Sequence, residues 1–145
     1  MKLNIGAGRT SYEGFENVDI VALPNTKHVV NLNNIPWPFP DESCDEMKAI
    51  DVLEHLQDTI AIVNEIWRVL CFGGKVEIQV PNVIGSPYHA FTDPTHIRFF
   101  SEHTFNYWIP GTRHGDTYGF YSEHKFKLIN KEVAKIFIRV VMEKI

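Results

Sequence analysis

Apolar and polar positions alternate in short runs at the front of the chain. Leu3 and Ile5 mark a strand over Lys2 to Ala7 that runs straight into Gly6-Ala7-Gly8. Val18 and Ile20, with Asp19 between them, mark a second over Phe15 to Ile20, and Val29-Val30 centres a third over His28 to Leu32. The run Ile35-Pro36-Trp37-Pro38-Phe39-Pro40 is excluded from helix and from central strand, because alternating prolines remove donors and hold their predecessors extended. A fourth strand follows over Glu46 to Ile50 and ends at Asp51. Ile62, Val63, Ile66, Trp67 and Leu70 then recur at helical spacing from Asp58 to Leu70, behind a cap at Asp58 or Thr59, and Gly73-Gly74 is expected to stop this helix. Lys75 to Pro81 returns to strict alternation, with Val76, Ile78 and Val80 on one face and Glu77 and Gln79 on the other. Residues 82 to 122, rich in Gly, Pro, His and aromatics, read as an inserted loop region with a short helix near Glu102 to Trp108. The tail from Phe126 to Ile145 is strand-like, with Ile136, Ile138, Val140 and Met142 on one face.

This order predicts the α/β class: a Rossmann-like, mostly parallel sheet with antiparallel C-terminal strands. A length of 145 residues suits one hydrophobic core, so residues 1–145 are read as a single domain with 82–122 as an acceptor-side insertion. Only about eight residues separate the first two strands and about seven the next two, too few for the helix of an ordinary crossover. Helix cover is thus reduced in the N-terminal half. One sheet face near the first three strands is expected to be thinly covered, with a second copy of the chain, a homodimer, as its cover.

Composition narrows the partners. Hydrophobic residues at 44% and charged residues at 22% fit a globular protein and exclude a disordered one. With 14 basic against 18 acidic residues there is no positive field to hold a phosphate backbone, so nucleic acid is not an expected partner. Nor is a membrane, because no apolar stretch approaches the roughly 20 residues of a span. The opening residues lack the apolar run of a secretory signal, and Cys44 and Cys71 fit neither a metal spacing nor a disulfide framework. A cytoplasmic, reduced protein is the expectation.

Candidate chemistry begins at the first turn. Glycines after a strand let a ligand approach the backbone, although a strand-to-loop turn with two glycines is as often plain turn chemistry. The third glycine of a dinucleotide fingerprint is missing, which disfavours a nicotinamide-dependent oxidoreductase. Asp19 supplies a second observation, a carboxylate at a strand end able to accept from two ribose hydroxyls, or simply a solvated acid.

Several blocks then agree in order with a known family. They are Leu3-Asn4-Ile5-Gly6-Ala7-Gly8, Gly14-Phe15-Glu16-Asn17-Val18-Asp19-Ile20, Pro38-Phe39-Pro40-Asp41 and Asp51-Val52-Leu53-Glu54-His55-Leu56. Glu65, Trp67, Arg68 and Leu70 follow, then Gly73-Gly74-Lys75, Val80-Pro81 and Asp93-Pro94-Thr95-His96 with Arg98-Phe99-Phe100. Over roughly residues 2 to 108 the chain resembles the class I S-adenosylmethionine-dependent methyltransferases of the small methyltransferase-domain type. The resemblance implies that the loop of Gly6, Ala7 and Gly8, with Asn4 before it, passes under the methionine portion of S-adenosylmethionine. It implies that Asp19 holds the ribose, that Asn31 and Leu32 border the adenine, and that Asp51 and Val52 close the pocket near the sulfonium. The chain departs from the family pattern in having amides at Asn4 and Asn31 where many relatives have acids. Cys71-Phe72 replaces a Lys-Pro pair, and a helix that often lids the cofactor is lacking.

Methyl transfer requires alignment and, for some acceptors, a base. His55, His96 and Asp93 are the catalytic candidates, and Arg98 could bind an acidic acceptor. The same residues also read as a helix-start cap and a turn. His89, Asp93 and His96, or His103, His114 and His124 with them, have spacings that could ligate a metal, but the pattern is nonspecific and no metal site is assigned. The expected function is methyl transfer to a small-molecule or sugar-like acceptor. The alternative is a catalytically inactive binding or assembly module with the same fold.

Overall fold

The computed structural model describes residues 1–145. The strands are β1 (Lys2–Ile5), β2 (Glu16–Asp19), β3 (His28–Val29), β4 (Cys44–Ile50), β5 (Leu70–Pro81), β6 (Phe126–Val133) and β7 (Phe137–Lys144). They form one seven-stranded sheet in the order β3-β2-β1-β4-β5-β7-β6. All neighbours from β3 to β5 pair parallel, and the pairs of β7 with β5 and with β6 are antiparallel, as the pattern predicts.

Helix α1 (Thr59–Val69) is capped by Asp58, whose Oδ1 accepts from Ala61 N at 3.0 Å. Its Ile62, Val63, Ile66 and Val69 join Leu3, Ile5, Met47, Ala49, Val76 and Ile78 in one buried cluster. From residues 82–122, Phe100, Phe105, Trp108 and Ile109 enter the same cluster, and from the tail Ile138, Val140 and Met142. The short helices α2 (Pro87–Thr92) and α3 (Arg113–Tyr118) and a 3-10 turn over Thr104–Trp108 lie between β5 and β6.

The helix does not end at the glycine pair. Leu70 is already extended (φ −68°, ψ 139°) and opens β5. Gly73 and Gly74 lie instead in a bulge, since Cys44 pairs with Leu70 and Glu46 with Lys75. A Cβ on Gly74 would stand 2.8 Å from Cys71 O, so the bulge closes only on glycine. Ile136 is another correction: it is 46% exposed and sits in the turn before β7, outside the buried row.

The proline-rich segment is pinned to α1. Buried Glu65 accepts from Trp37 N at 2.7 Å and from Arg68 Nη2 at 2.6 Å, while Arg68 Nη1 donates to Phe39 O at 3.0 Å. Trp37 Nε1 donates back to Leu32 O at 3.0 Å. These bonds fix the chain just after β3, where the candidate adenine contacts lie.

The other sheet face carries no helix between β1 and β3, as expected. It is polar. One row across the strands reads Lys2, Glu46, Lys75, Glu143, Lys127, and the next reads Asn17, Asn4, Lys48, Glu77, Val141, Asn130. Opposite charges therefore face each other on neighbouring strands. Tyr12 and Phe15 of the β1–β2 loop lie over Lys48, with its Nζ 4.9 and 5.6 Å from their rings. The thin cover is real, and the exposed rows of this face are chiefly polar. No helix is long and apolar enough to cross a membrane.

Candidate active site

Parallel strands place their carboxyl ends together, and the loops leaving β1, β2, β3 and β4 there enclose a cavity of about 350 Å³. Gly6, Asp19, Asn31, Leu32, Asp51 and Val52 line it, joined by Ile20, Val30, Asn33, His55 and Leu56. Gly6 turns the chain with φ +64°, and a Cβ there would meet Val52 Cγ2 at 2.2 Å, so the close passage of the β1 turn past Val52 requires glycine. Asp19 ties the two turns together. Its Oδ2 accepts from Gly8 N at 2.8 Å and its Oδ1 from Val21 N at 3.0 Å, which fixes the carboxylate at the cavity's edge with lone pairs to spare.

Ala7 and Gly8 act through their backbone in the turn and do not line the cavity. Asn4 is not at the cavity either. It is 2% exposed and its Nδ2 donates to Thr10 O and to Asn17 Oδ1, both at 3.0 Å, holding the β1–β2 loop against the polar face. Its neighbours Leu3 and Ile5 point into the core, so strand alternation turns Asn4 to the opposite face.

Asp51, at the end of β4, adopts φ +53°, an uncommon conformation for a residue other than glycine. Gln79 Nε2 donates to its two carboxylate oxygens at 3.3 and 3.2 Å. A 3-10 turn over Leu53–His55 follows and sets Glu54 inward and His55 toward the cavity.

A second cavity of about 340 Å³ adjoins the first, and Asp51 and His55 line both. Glu54, Gln79, Pro81, His89, Asp93, His96, Ile136 and Phe137 complete it. The three catalytic candidates thus come together from distant stretches of sequence. The turn Asp93-Pro94-Thr95-His96 docks through Ile97 N and Arg98 N, which donate to Glu54 O at 2.8 and 3.2 Å. Thr95 Oγ1 donates to Asp93 Oδ1 at 2.7 Å and is 2.9 Å from His55 Nδ1. His96 Nδ1 is 2.7 Å from Ala90 O, and the His55 and His96 rings meet edge to face at 4.8 Å. The Thr95 hydroxyl and amide hold the Asp93 carboxyl below the usual carboxylate range, helped by the two histidines. Burial pushes the Glu54 carboxyl up to about 8, and the charges of Asp51 and Asp93 add to the push. Arg98 points elsewhere, with its Nε donating to Gln57 O at 2.7 Å, and it lines a third cavity walled by Phe99, Tyr107 and Trp108.

Sequence reasoning missed Glu54 and Thr95. Both stand beside singled-out residues, but which neighbour of His55 turns inward depends on a 3-10 turn that hydrophobic periodicity does not reveal.

A family model described as a methyltransferase domain matches residues 15–78. No curated protein matches the chain in sequence. Among solved structures, a chain from the complex of the Haloferax volcanii Trm112 methyltransferase activator with a methyltransferase superposes with a TM-score of 0.68 at 11% identity, over 99% of this chain and 81% of that one. A SAM-dependent methyltransferase from Archaeoglobus fulgidus gives 0.65 at 14% identity, over 99% and 85%. The Burkholderia thailandensis 1,6-didemethyltoxoflavin-N1-methyltransferase, bound to 1,6-didemethyltoxoflavin and S-adenosylhomocysteine, gives 0.64 at 14% identity, over 99% and 70%. At these identities the likeness is one of fold. Residues 15–78 thus carry the pattern of a methyltransferase domain, and the strand order is that of the class I S-adenosylmethionine-dependent methyltransferase fold.

Proposed function

We propose that the protein transfers the methyl group of S-adenosylmethionine to a small-molecule or sugar-like acceptor. The observation that carries this reading is the adjacency of the two cavities, with Asp51 and His55 lining both. The first suits the cofactor: each Asp19 oxygen engages one backbone amide and keeps a lone pair for a ribose hydroxyl. Asn31 and Leu32 border the adenine, the Gly6 turn underlies the methionine portion, and Asp51 and Val52 face the sulfonium, whose charge favours a carboxylate nearby. When bound, S-adenosylmethionine supplies an electrophilic methyl carbon that the acceptor's lone pair displaces from sulfur.

The second cavity takes the acceptor. Thr95 gives its hydroxyl proton to Asp93, so it accepts from His55 Nδ1–H, and the His55 Nε2 lone pair is free to take the acceptor's proton. Asp93 acts here as a positioning residue through Thr95, while His96 walls the same space. The toxoflavin-precursor enzyme, with its bound small molecule, supports an acceptor of that size by analogy of fold. Cys44 and Cys71 are free thiols, in keeping with the cytoplasm as the setting.

Calorimetry with S-adenosylhomocysteine tests the reading. Wild-type protein is expected to bind it, and Asp19→Ala to weaken binding about 10-fold or more, the worth of charged hydrogen bonds to two hydroxyls. An absence of binding at millimolar ligand overturns the proposal. Binding with no turnover on any acceptor would instead favour the binding or assembly module, which the open, helix-poor N-terminal half also suits.

A further inference from the structure

Glu54 is the only buried side chain with an unpartnered polar atom: the residue is 1% exposed and its Oε2 meets no hydrogen-bond donor. Its Oε1 lies 4.0 Å from His55 Nε2 and 3.9 Å from His96 Nε2, and His96 Nε2 lies 3.8 Å from Asp93 Oδ2. The other nitrogen of each ring fixes its tautomer. Ala90 O can only accept, so His96 carries its proton on Nδ1 and presents a bare Nε2. The Thr95 hydroxyl proton goes to Asp93, so His55 also carries its proton on Nδ1 and presents a bare Nε2. A proton placed on either Nε2 would face Glu54 across 3.9 or 4.0 Å, too far for a hydrogen bond. Two imidazole lone pairs and the Glu54 carboxyl thus converge on one point, a carboxyl that burial holds in its neutral form and that a bound cation would ionise.

We infer that Glu54, His55 and His96, with Asp93 at the margin, form a binding site for a divalent transition-metal ion. The three ligand atoms lie within 4.8 Å of one another, so an ion among them stands about 2.5 Å from each, a few tenths of an ångström beyond ordinary zinc bonds of about 2.0–2.2 Å. Both imidazoles are held through Nδ1 by an oxygen, the arrangement that orients metal-bound histidines. Imidazole with one carboxylate suits zinc and its transition-metal neighbours, whereas magnesium and calcium favour shells of oxygen. No lysine or arginine lines the adjoining cavity, toward which the coordination left open by three ligands would face. The site does not rest on methyl transfer. An ion on His55 Nε2 would occupy the lone pair that the base would use, so the two roles are alternatives at one atom.

Zinc titration of metal-stripped protein by calorimetry, with cobalt(II) absorption as the spectroscopic readout, tests this inference. One equivalent is expected to bind, and Glu54→Gln or His96→Ala to weaken it by more than about 100-fold, beyond the 10- to 100-fold that an orienting partner such as Thr95 is worth. His103→Ala with His114→Ala, a surface pair whose rings stack at 5.6 Å, is expected to change nothing. Lack of saturable zinc binding by the wild type overturns the site, and so does binding lost only with the His103 and His114 pair. If a ligand variant fails to fold, the wild-type cobalt spectrum decides, since absorption bands without imidazole ligation overturn the site as well. His96→Ala that loses zinc yet keeps S-adenosylhomocysteine separates this site from the cofactor reading, because His96 lines only the second cavity.

Discussion

Gly6 and Gly8 share a positive φ but not a neighbourhood. At Gly6 a methyl group would overlap Val52, whereas at Gly8 it would meet nothing within 4 Å. Gly8→Ala is therefore expected to cost about 1 kcal/mol of backbone strain. Gly6→Ala adds overpacking and should cost about 3 kcal/mol and displace the cavity wall, a contrast that urea unfolding of the two variants checks. A second residue-scale expectation concerns the thiols. Burial pushes Cys44 up to about 11, so at pH 8 its reactive thiolate is scarce, while Cys71 is partly exposed. Brief iodoacetamide treatment of the native protein should add one label, at Cys71, and a second only on unfolding, as mass spectrometry would register. At this scale the sequence was informative where chemistry sits at a strand end, as with Gly6, Asp19 and Asp51. It was less so for Asn4, whose placement followed family position, although strand alternation between Leu3 and Ile5 already turned it away from the core. Glu54 was hidden because its inward turn follows from the 3-10 turn over Leu53–His55, which hydrophobic periodicity does not signal.

Among the elements, α1 and the Lys75 to Pro81 part of β5 were legible because each keeps one period. Their junction was not. A glycine pair after a helical pattern signals a stop, yet here the helix yields directly to strand and the glycines relieve crowding in the bulge. The proline run Ile35 to Pro40 reads as loop, and its order comes from a side chain on another element, Glu65 of α1. Glu65→Ala would leave Trp37 N and part of the Arg68 guanidinium without their partner. It is expected to destabilise the protein by about 2–3 kcal/mol, below the full cost of breaking a buried pair because Arg68 is 24% exposed at its side chain and keeps Asp41. Glu65→Gln, which retains an acceptor, should cost less; chemical unfolding followed by tryptophan fluorescence compares them.

The whole molecule is a sheet with one wrapped face and one bare one, and its candidate site lies at the carboxyl ends of the strands, the usual place in open α/β sheets. The bare face was foreseen from loop lengths too short for helices, but its polar character was visible in the alternation of β5 alone. Lys75 stands between Glu46 and Glu143 in the charged row. Lys75→Glu should destabilise the fold by about 0.5–1 kcal/mol at low ionic strength, and less in 0.5 M salt, because half of the Lys75 side chain is exposed and the repulsion is screened. Lys75→Gln is the neutral comparison, and urea midpoints at the two salt concentrations give the answer.

That same row has a consequence for how the chain finds its partner strands. A strand with one buried face can slide by two residues and still keep its apolar set inward, so hydrophobicity alone does not forbid the error. If β4 slid so against β5, Glu46 would stand across from Glu77, or Lys48 across from Lys75, where the native pairs are Glu46 with Lys75 and Lys48 with Glu77. Misalignment that burial tolerates is thus met by like charges on the solvent side, and the helix-free surface serves as the fold's proofreader.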